Sequence, residues 1–112
     1  DNIATMGDFK PLSEAEHEAV KKVRTLYQAQ HKIPCTACRY CVDGCPAGIP
    51  IATMFAQINQ LHKKEGTPKE DYAALEVQGD ACLKCELCVS ACPQHLQVCQ
   101  LVEKAHERLT AE

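Results

Sequence analysis

Apolar side chains recur at helical spacing in three stretches of the chain. Ile51, Met54, Phe55, Ile58, Leu61 and His62 follow an i, i+3, i+4, i+7 pattern, while Gln57, Gln60, Lys63 and Lys64 take the opposite side. Val98, Leu101, Val102, Ala105 and Leu109 repeat the pattern near the C-terminus, with Glu103, Lys104 and Glu107 facing outward. The third stripe, Ala15, Ala19, Val20, Val23, Leu26 and Tyr27, follows Ser13, whose hydroxyl caps a first turn while Glu16 reaches back to it. That pairing predicts an N-terminal helix over residues 13–32. Thr67-Pro68-Lys69-Glu70 has the same capping spacing with proline at the first helical position, and predicts a short helix through Tyr72 to Leu75. No segment alternates apolar and polar residues with β-branched content, so the chain is expected to be all-α.

A repeat underlies two of these helices. Cys35, Cys38, Cys41 and Cys45, followed by Pro46, return as Cys82, Cys85, Cys88, Cys92 and Pro93, each 47 residues further on. The correspondence continues, with Ile49, Ile51, Met54 and Phe55 falling opposite Leu96, Val98, Leu101 and Val102. Each half is therefore a cysteine loop followed by a helix, the first over 35–65 and the second over 82–111.

The spacing C-x2-C-x2-C-x3-C-P is the pattern with which bacterial ferredoxins hold 4Fe–4S clusters, the fourth cysteine of each run serving the other cluster. Three thiolates must reach three irons of one cube, which a tight loop achieves while turning its backbone N–H groups toward the sulfurs. On that rule one cluster takes Cys35, Cys38, Cys41 and Cys92, and the other takes Cys82, Cys85, Cys88 and Cys45. Two 4Fe–4S clusters are the expected cofactors.

Other uses of the cysteines fit less well. A disulfide framework needs an oxidising compartment, for which the chain carries no signal. Structural zinc prefers C-x2-C pairs separated by a longer loop. A cluster that binds S-adenosylmethionine has three cysteines and an open iron, whereas both sets here are complete. Cys99, the ninth cysteine, stands opposite Ala52 of the first half and reads as a buried, unligated thiol. His17, His31, His62 and His106 read as helix-face residues, and His95 as a neighbour of the second run without a redox role. Gly44 and Ala91, each before a fourth cysteine, are small where the backbone approaches a cluster.

With 112 residues, no Trp, two Phe and three Tyr, the chain has few large side chains for a core, so metal is expected to help hold it together. Lys and Arg number 12 against 15 Asp and Glu, a formal charge of −3 with no basic block, which argues against nucleic acid as a partner. Two oxidised clusters with their thiolates would bring the charge to about −7, offset in part by backbone N–H groups and by helix N-termini near Pro50 and Leu96. The charge-free run from Gly44 to His62 holds Pro46, Gly48 and Pro50 and does not read as a membrane span. The N-terminus has no signal core, so the reducing cytoplasm is the expected location. It also lacks an initiator Met, which predicts a domain of something longer.

The run Ile33-Pro34-Cys35-Thr36-Ala37-Cys38-Arg39-Tyr40-Cys41, with Cys45-Pro46, Ile49-Pro50-Ile51, Phe55, Asn59, Cys88 and Cys92-Pro93-Gln94-His95-Leu96, resembles the C-terminal ferredoxin domain of a bacterial and archaeal aldo/keto reductase family. Asn2-Ile3-Ala4-Thr5-Met6 and Pro11-Leu12-Ser13 resemble the stretch that leaves the catalytic barrel of that family, so residues 1–12 read as a linker. The resemblance implies an α-helical ferredoxin fold and, as partner, an N-terminal (β/α)8 barrel of the same parent oxidoreductase. The family's Asp, Tyr, Lys and His tetrad belongs to that barrel, so no catalytic residue is assigned in this chain. The 36 residues between Cys45 and Cys82 independently favour the helical fold, since the compact βαβ-type ferredoxin uses a much shorter connector.

The expected function is a relay of single electrons between a redox donor or acceptor and the catalytic barrel. A free-standing ferredoxin, or the iron–sulfur subunit of another dehydrogenase or reductase, would use the same ligands. A structural or interaction module stabilised by metal is the alternative of a different class.

Overall fold

The computed structural model describes residues 1–29 and 33–112, and every regular element among them is helical. Ser13 and Glu16 form the expected reciprocal cap. The Ser13 N–H donates to Glu16 Oε2 at 2.8 Å, and the Glu16 N–H donates to Ser13 Oγ at 3.3 Å. These bonds hold the Glu16 carboxyl below its ordinary pKa. The helix they start, α2, runs Glu14–Ala29, and the remainder of the expected span, with His31, lies outside the described residues. A short helix, α1 (Asn2–Gly7), forms within the segment read as a linker. Neither α1 nor α2 contains a buried residue, so the apolar stripe of α2 faces outward at Val20, Val23 and Leu26.

The core belongs to the repeat. Helices α4 (Ile51–Lys63) and α7 (Val98–Thr110) pack against each other, α5 (Pro68–Ala73) lies against both, and short helices α3 (Tyr40–Asp43) and α6 (Leu87–Ala91) meet between the two cysteine loops. Both long helices begin in the same way. Pro50 (φ −77°, ψ 63°) and Gln97 (φ −76°, ψ 68°) sit in inverse γ-turns, closed by Ile51 N–H to the Ile49 carbonyl at 2.8 Å and Val98 N–H to the Leu96 carbonyl at 2.9 Å. The turn drops Ile51 and Val98 into equivalent buried places. Met54, Phe55 and Ile58 on α4 and Val102, Ala105 and Leu109 on α7 complete the shared core, each large apolar side chain contributing about 1.5–3 kcal/mol by its burial.

Two readings of the helices need correction. Gln57, placed on the polar side by periodicity, is buried, and its Oε1 has no hydrogen-bond partner among the described residues. The reason is that α4 packs against α3, α5 and α7 together, so its buried face is wider than one stripe. The capping box before α5 does not form, since the Thr67 hydroxyl donates to the Asp71 carboxylate at 3.4 Å instead. His106, read as a helix-face residue, does lie on α7, where it is half-buried and bonded to Tyr72.

Tyr72, on α5, is among the largest fully buried side chains. Its hydroxyl accepts the Gly79 N–H at 2.8 Å and is hydrogen-bonded to His106 Nδ1 at 2.7 Å. Burial raises the Tyr72 pKa, and the Gly79 hydrogen bond opposes that rise. Gly79 opens a 3-10 turn (Gly79–Ala81) against α7. A Cβ there would stand 2.8 Å from His106 Cβ and 3.0 Å from Met54 Cε, so no larger residue fits without displacement. No helix of the described residues is long and apolar enough to cross a membrane.

Candidate metal centre

The two cysteine loops share an unusual backbone. Ala37 (φ 55°) and Arg39 (φ 69°) in the first loop, and Lys84 (φ 54°) and Glu86 (φ 61°) in the second, occupy the left-handed region although none is glycine. Gly48 (φ 69°) and His95 (φ 54°) match in the same way after each proline. A left-handed conformation costs an L-residue roughly 1–2 kcal/mol, so strain placed identically in both loops marks them as functional. Left-handed residues in such a turn can aim backbone N–H groups into a concavity suited to an anion. One such contact is formed, with the Ala37 N–H donating to Cys35 Sγ at 3.4 Å.

Exposure of the thiols also repeats. The third cysteine of each run, Cys41 or Cys88, starts a short helix inward and is buried, whereas the second, Cys38 or Cys85, is exposed. The first and fourth, Cys35 with Cys45 and Cys82 with Cys92, are intermediate. Cys41 and Cys88 are thiols of raised pKa in the metal-free protein. Burial is the main cause at both, and neighbouring cysteines add to it; Cys88 is pushed up to about 12, with Cys99 the next contributor. Binding of iron must displace these protons, because the thiolate is the ligand.

Two cavities hold the eight cysteines, four in each. Cys35, Cys38, Cys41 and Cys92 line one, together with Ala52, Phe55 and Val98. Cys82, Cys85, Cys88 and Cys45 line the other, together with Ile51, Cys99 and Val102. Each thus combines three cysteines of one loop with the fourth of the other. The walls follow the repeat as well: Ala52 and Cys99 are matched positions, as are Phe55 and Val102, and Val98 and Ile51. Cavity walls that differ are Thr36 and Gln94 around the first against Leu83 and Ala47 around the second.

The donor set suits polynuclear iron. Among the described residues no three His, Cys, Asp or Glu side chains converge closely enough to hold a single ion. Four thiols line each apolar cavity, the number and type of donor that a 4Fe–4S cluster takes.

Periodicity and spacing did not identify several contributors. Cys99 read as a buried thiol apart from the metal; it is half-buried, and its Sγ lies 3.6 Å from Cys88 Sγ in the wall of the second cavity. Its signal was its place one residue into a helix that begins beside the cysteine loop. At Gly44 a Cβ would meet, among protein atoms, the Tyr40 carbonyl at an ordinary 3.5 Å, so protein packing alone does not require glycine there. Gly79, whose lack of a side chain the packing does require, carried no such signal.

Residues 34–96 match the family described as 4Fe-4S dicluster domain, more than half of the chain and all eight of these cysteines. The chain belongs to that family and binds two 4Fe–4S clusters. It is also similar to "Acetyl-CoA decarbonylase/synthase complex subunit alpha 1" of Methanosarcina mazei, 32% identical over 108 residues that make up 94% of this chain and 12% of the relative. The protein of the same name from Methanosarcina barkeri is 31% identical over 80 residues, 70% of this chain and 9% of that relative. The chain therefore spans about a tenth of the length of these relatives. No solved structure matches it.

Proposed function

We propose that this chain is the two-cluster electron relay of a larger oxidoreductase, taking single electrons from a donor and delivering them to a separate catalytic unit. In this reading Cys35, Cys38, Cys41 and Cys92 hold one cluster, and Cys82, Cys85, Cys88 and Cys45 hold the other. Each bound cluster supplies a one-electron couple with no change of ligands. The chain carries eight cysteines on two loops, aims the Ala37 N–H at Cys35 Sγ, and lines the sites with Phe55 or Val102.

The observation that carries the reading is the sharing of cysteines between two cavities built by one helical core. Complete sets of four leave no iron open for substrate, which favours outer-sphere transfer over chemistry at the metal. Exposed Cys38 and Cys85 give each site an edge toward solvent where a redox partner can approach. Protein purified without oxygen should contain about eight irons and eight sulfides per chain and take up one electron per cluster in a reductive titration. Stoichiometric zinc in a folded, colourless protein would overturn the reading.

For the catalytic unit, the words around Cys35, Cys45 and Cys92 support an aldo/keto reductase barrel. The Methanosarcina relatives favour a second reading, a parent of the acetyl-CoA decarbonylase/synthase kind. Anaerobic full-length protein distinguishes them: bleaching of the clusters by NADPH, reversed by an aldehyde, supports the barrel, whereas a response to acetyl-CoA supports the second parent.

A further inference from the structure

We propose that Cys99 is a positioning residue for the second cluster, its S–H donating a hydrogen bond to Cys88 Sγ and thereby raising the reduction potential of that cluster. The inference rests on the ligand assignment proposed above, in which Cys88 binds iron and Cys99 does not. The sulfur–sulfur separation is 3.6 Å, within hydrogen-bonding reach for a thiol and a thiolate. With Cys88 bound to iron, its sulfur can only accept, and Cys99 is the member of the pair placed to donate.

The electrostatic sign follows from where the added electron goes. Reduction makes the cluster and its thiolates more negative, and a donor aimed at a ligand sulfur stabilises the reduced state more than the oxidised one. The other half provides an internal comparison. Ala52 occupies the matched place in the first cavity and has no proton to donate, so the contribution belongs to the second cluster alone. Cys99 faces two ways, lining the cluster cavity on one side and, on the other, an outer pocket shared with Lys84, Glu103, His106 and Glu107. The Lys84 ammonium and Glu103 carboxylate there bind each other at 3.0 Å and largely cancel, leaving the thiol as the directed donor.

The test is an anaerobic redox titration of holoprotein, followed by EPR, on the wild type, Cys99→Ala and Cys99→Ser, with iron determined in each. Both variants should retain full iron. In Cys99→Ala one of the two one-electron waves should move to lower potential, the reduced-to-oxidised ratio at fixed ambient potential falling about tenfold, equivalent to about 59 mV. The other wave should not move. Cys99→Ser, which keeps a donor of similar size, should hold the wild-type potential more closely than Ala. Unchanged or raised potentials in Cys99→Ala, or equal falls in both variants, would overturn the proposal by showing that packing or solvent entry alone is at work. Loss of iron in both variants would instead make Cys99 a ligand, and the failure would then lie in the ligand assignment.

Discussion

Asn59 holds the backbone of Ile33 from both sides: the Ile33 N–H donates to Asn59 Oδ1 at 2.9 Å, and Asn59 Nδ2 donates to the Ile33 carbonyl at 2.9 Å. Cys35 follows two residues later. The repeat mate of Asn59 is His106, which anchors the other loop through Tyr72, since the Tyr72 hydroxyl binds both His106 and the N–H of Gly79, three residues before Cys82. One helix register thus fixes the entry to each cysteine loop, directly in the first half and through an inserted phenol in the second.

Replacing Asn59 with Ala should cost about 1–3 kcal/mol, because two half-buried backbone groups lose their partners. The loss should be local. Urea unfolding measures the stability change, and iron release during mild chelation should accelerate for the first cluster before the second.

Gly79→Ala probes the same entry in the second half. Its Cβ would meet His106 Cβ at 2.8 Å and the Val102 carbonyl at 3.2 Å, so helix and turn must separate. Overpacking of this kind costs about 1–3 kcal/mol. The expected result is a lower unfolding midpoint with faster release of the second cluster. Gly44→Ala, where the space is ordinary, should leave both near wild type.

Tyr72 gives stability a defined alkaline limit. Its folded pKa lies above the unfolded value near 10, so between the two the native state keeps a proton that the unfolded state has lost. Stability from this group is fully present below pH of about 10 and declines as pH rises through the folded pKa. Tyrosinate absorbance should show one late-titrating phenol. Tyr72→Phe should remove that alkaline decline while lowering stability at neutral pH by about 1–3 kcal/mol, since the Gly79 N–H and His106 Nδ1 lose their partner.

The sequence made legible the features that repeat. The 47-residue offset located both cysteine runs, the starts of α4 and α7 and most of their buried positions, because one structural unit is used twice and each copy checks the other. Features present in one half only were harder to read. Gln57 is buried while its mate Lys104 is exposed, a difference that the repeat does not show. Cys99 has Ala52 as its mate, so the repeat carried no signal for its place in the wall of the second cavity. The stripe of α2 was read correctly as helix, but periodicity reports an apolar face and not what covers it.

Removal of iron should disorder the loops before the helices. Ala37, Arg39, Lys84, Glu86 and His95 hold left-handed conformations at roughly 1–2 kcal/mol each, and metal binding offsets that strain. Hydrogen exchange after anaerobic chelation should show protection lost over 35–45 and 82–92 and retained in part over α4 and α7. Equal protection with and without iron would show a self-sufficient fold.

The crossing of ligands between the halves is the centre of this account, and EPR spectroscopy of Cys45→Ser tests it most directly. Cys45 is the last cysteine of the first run in sequence but lines the cavity of the second. The account predicts that Cys45→Ser perturbs the same signal as Cys82→Ser and leaves intact the signal that Cys35→Ser perturbs. A Cys45→Ser spectrum that matches Cys35→Ser would contradict it, and each run would then serve its own cluster.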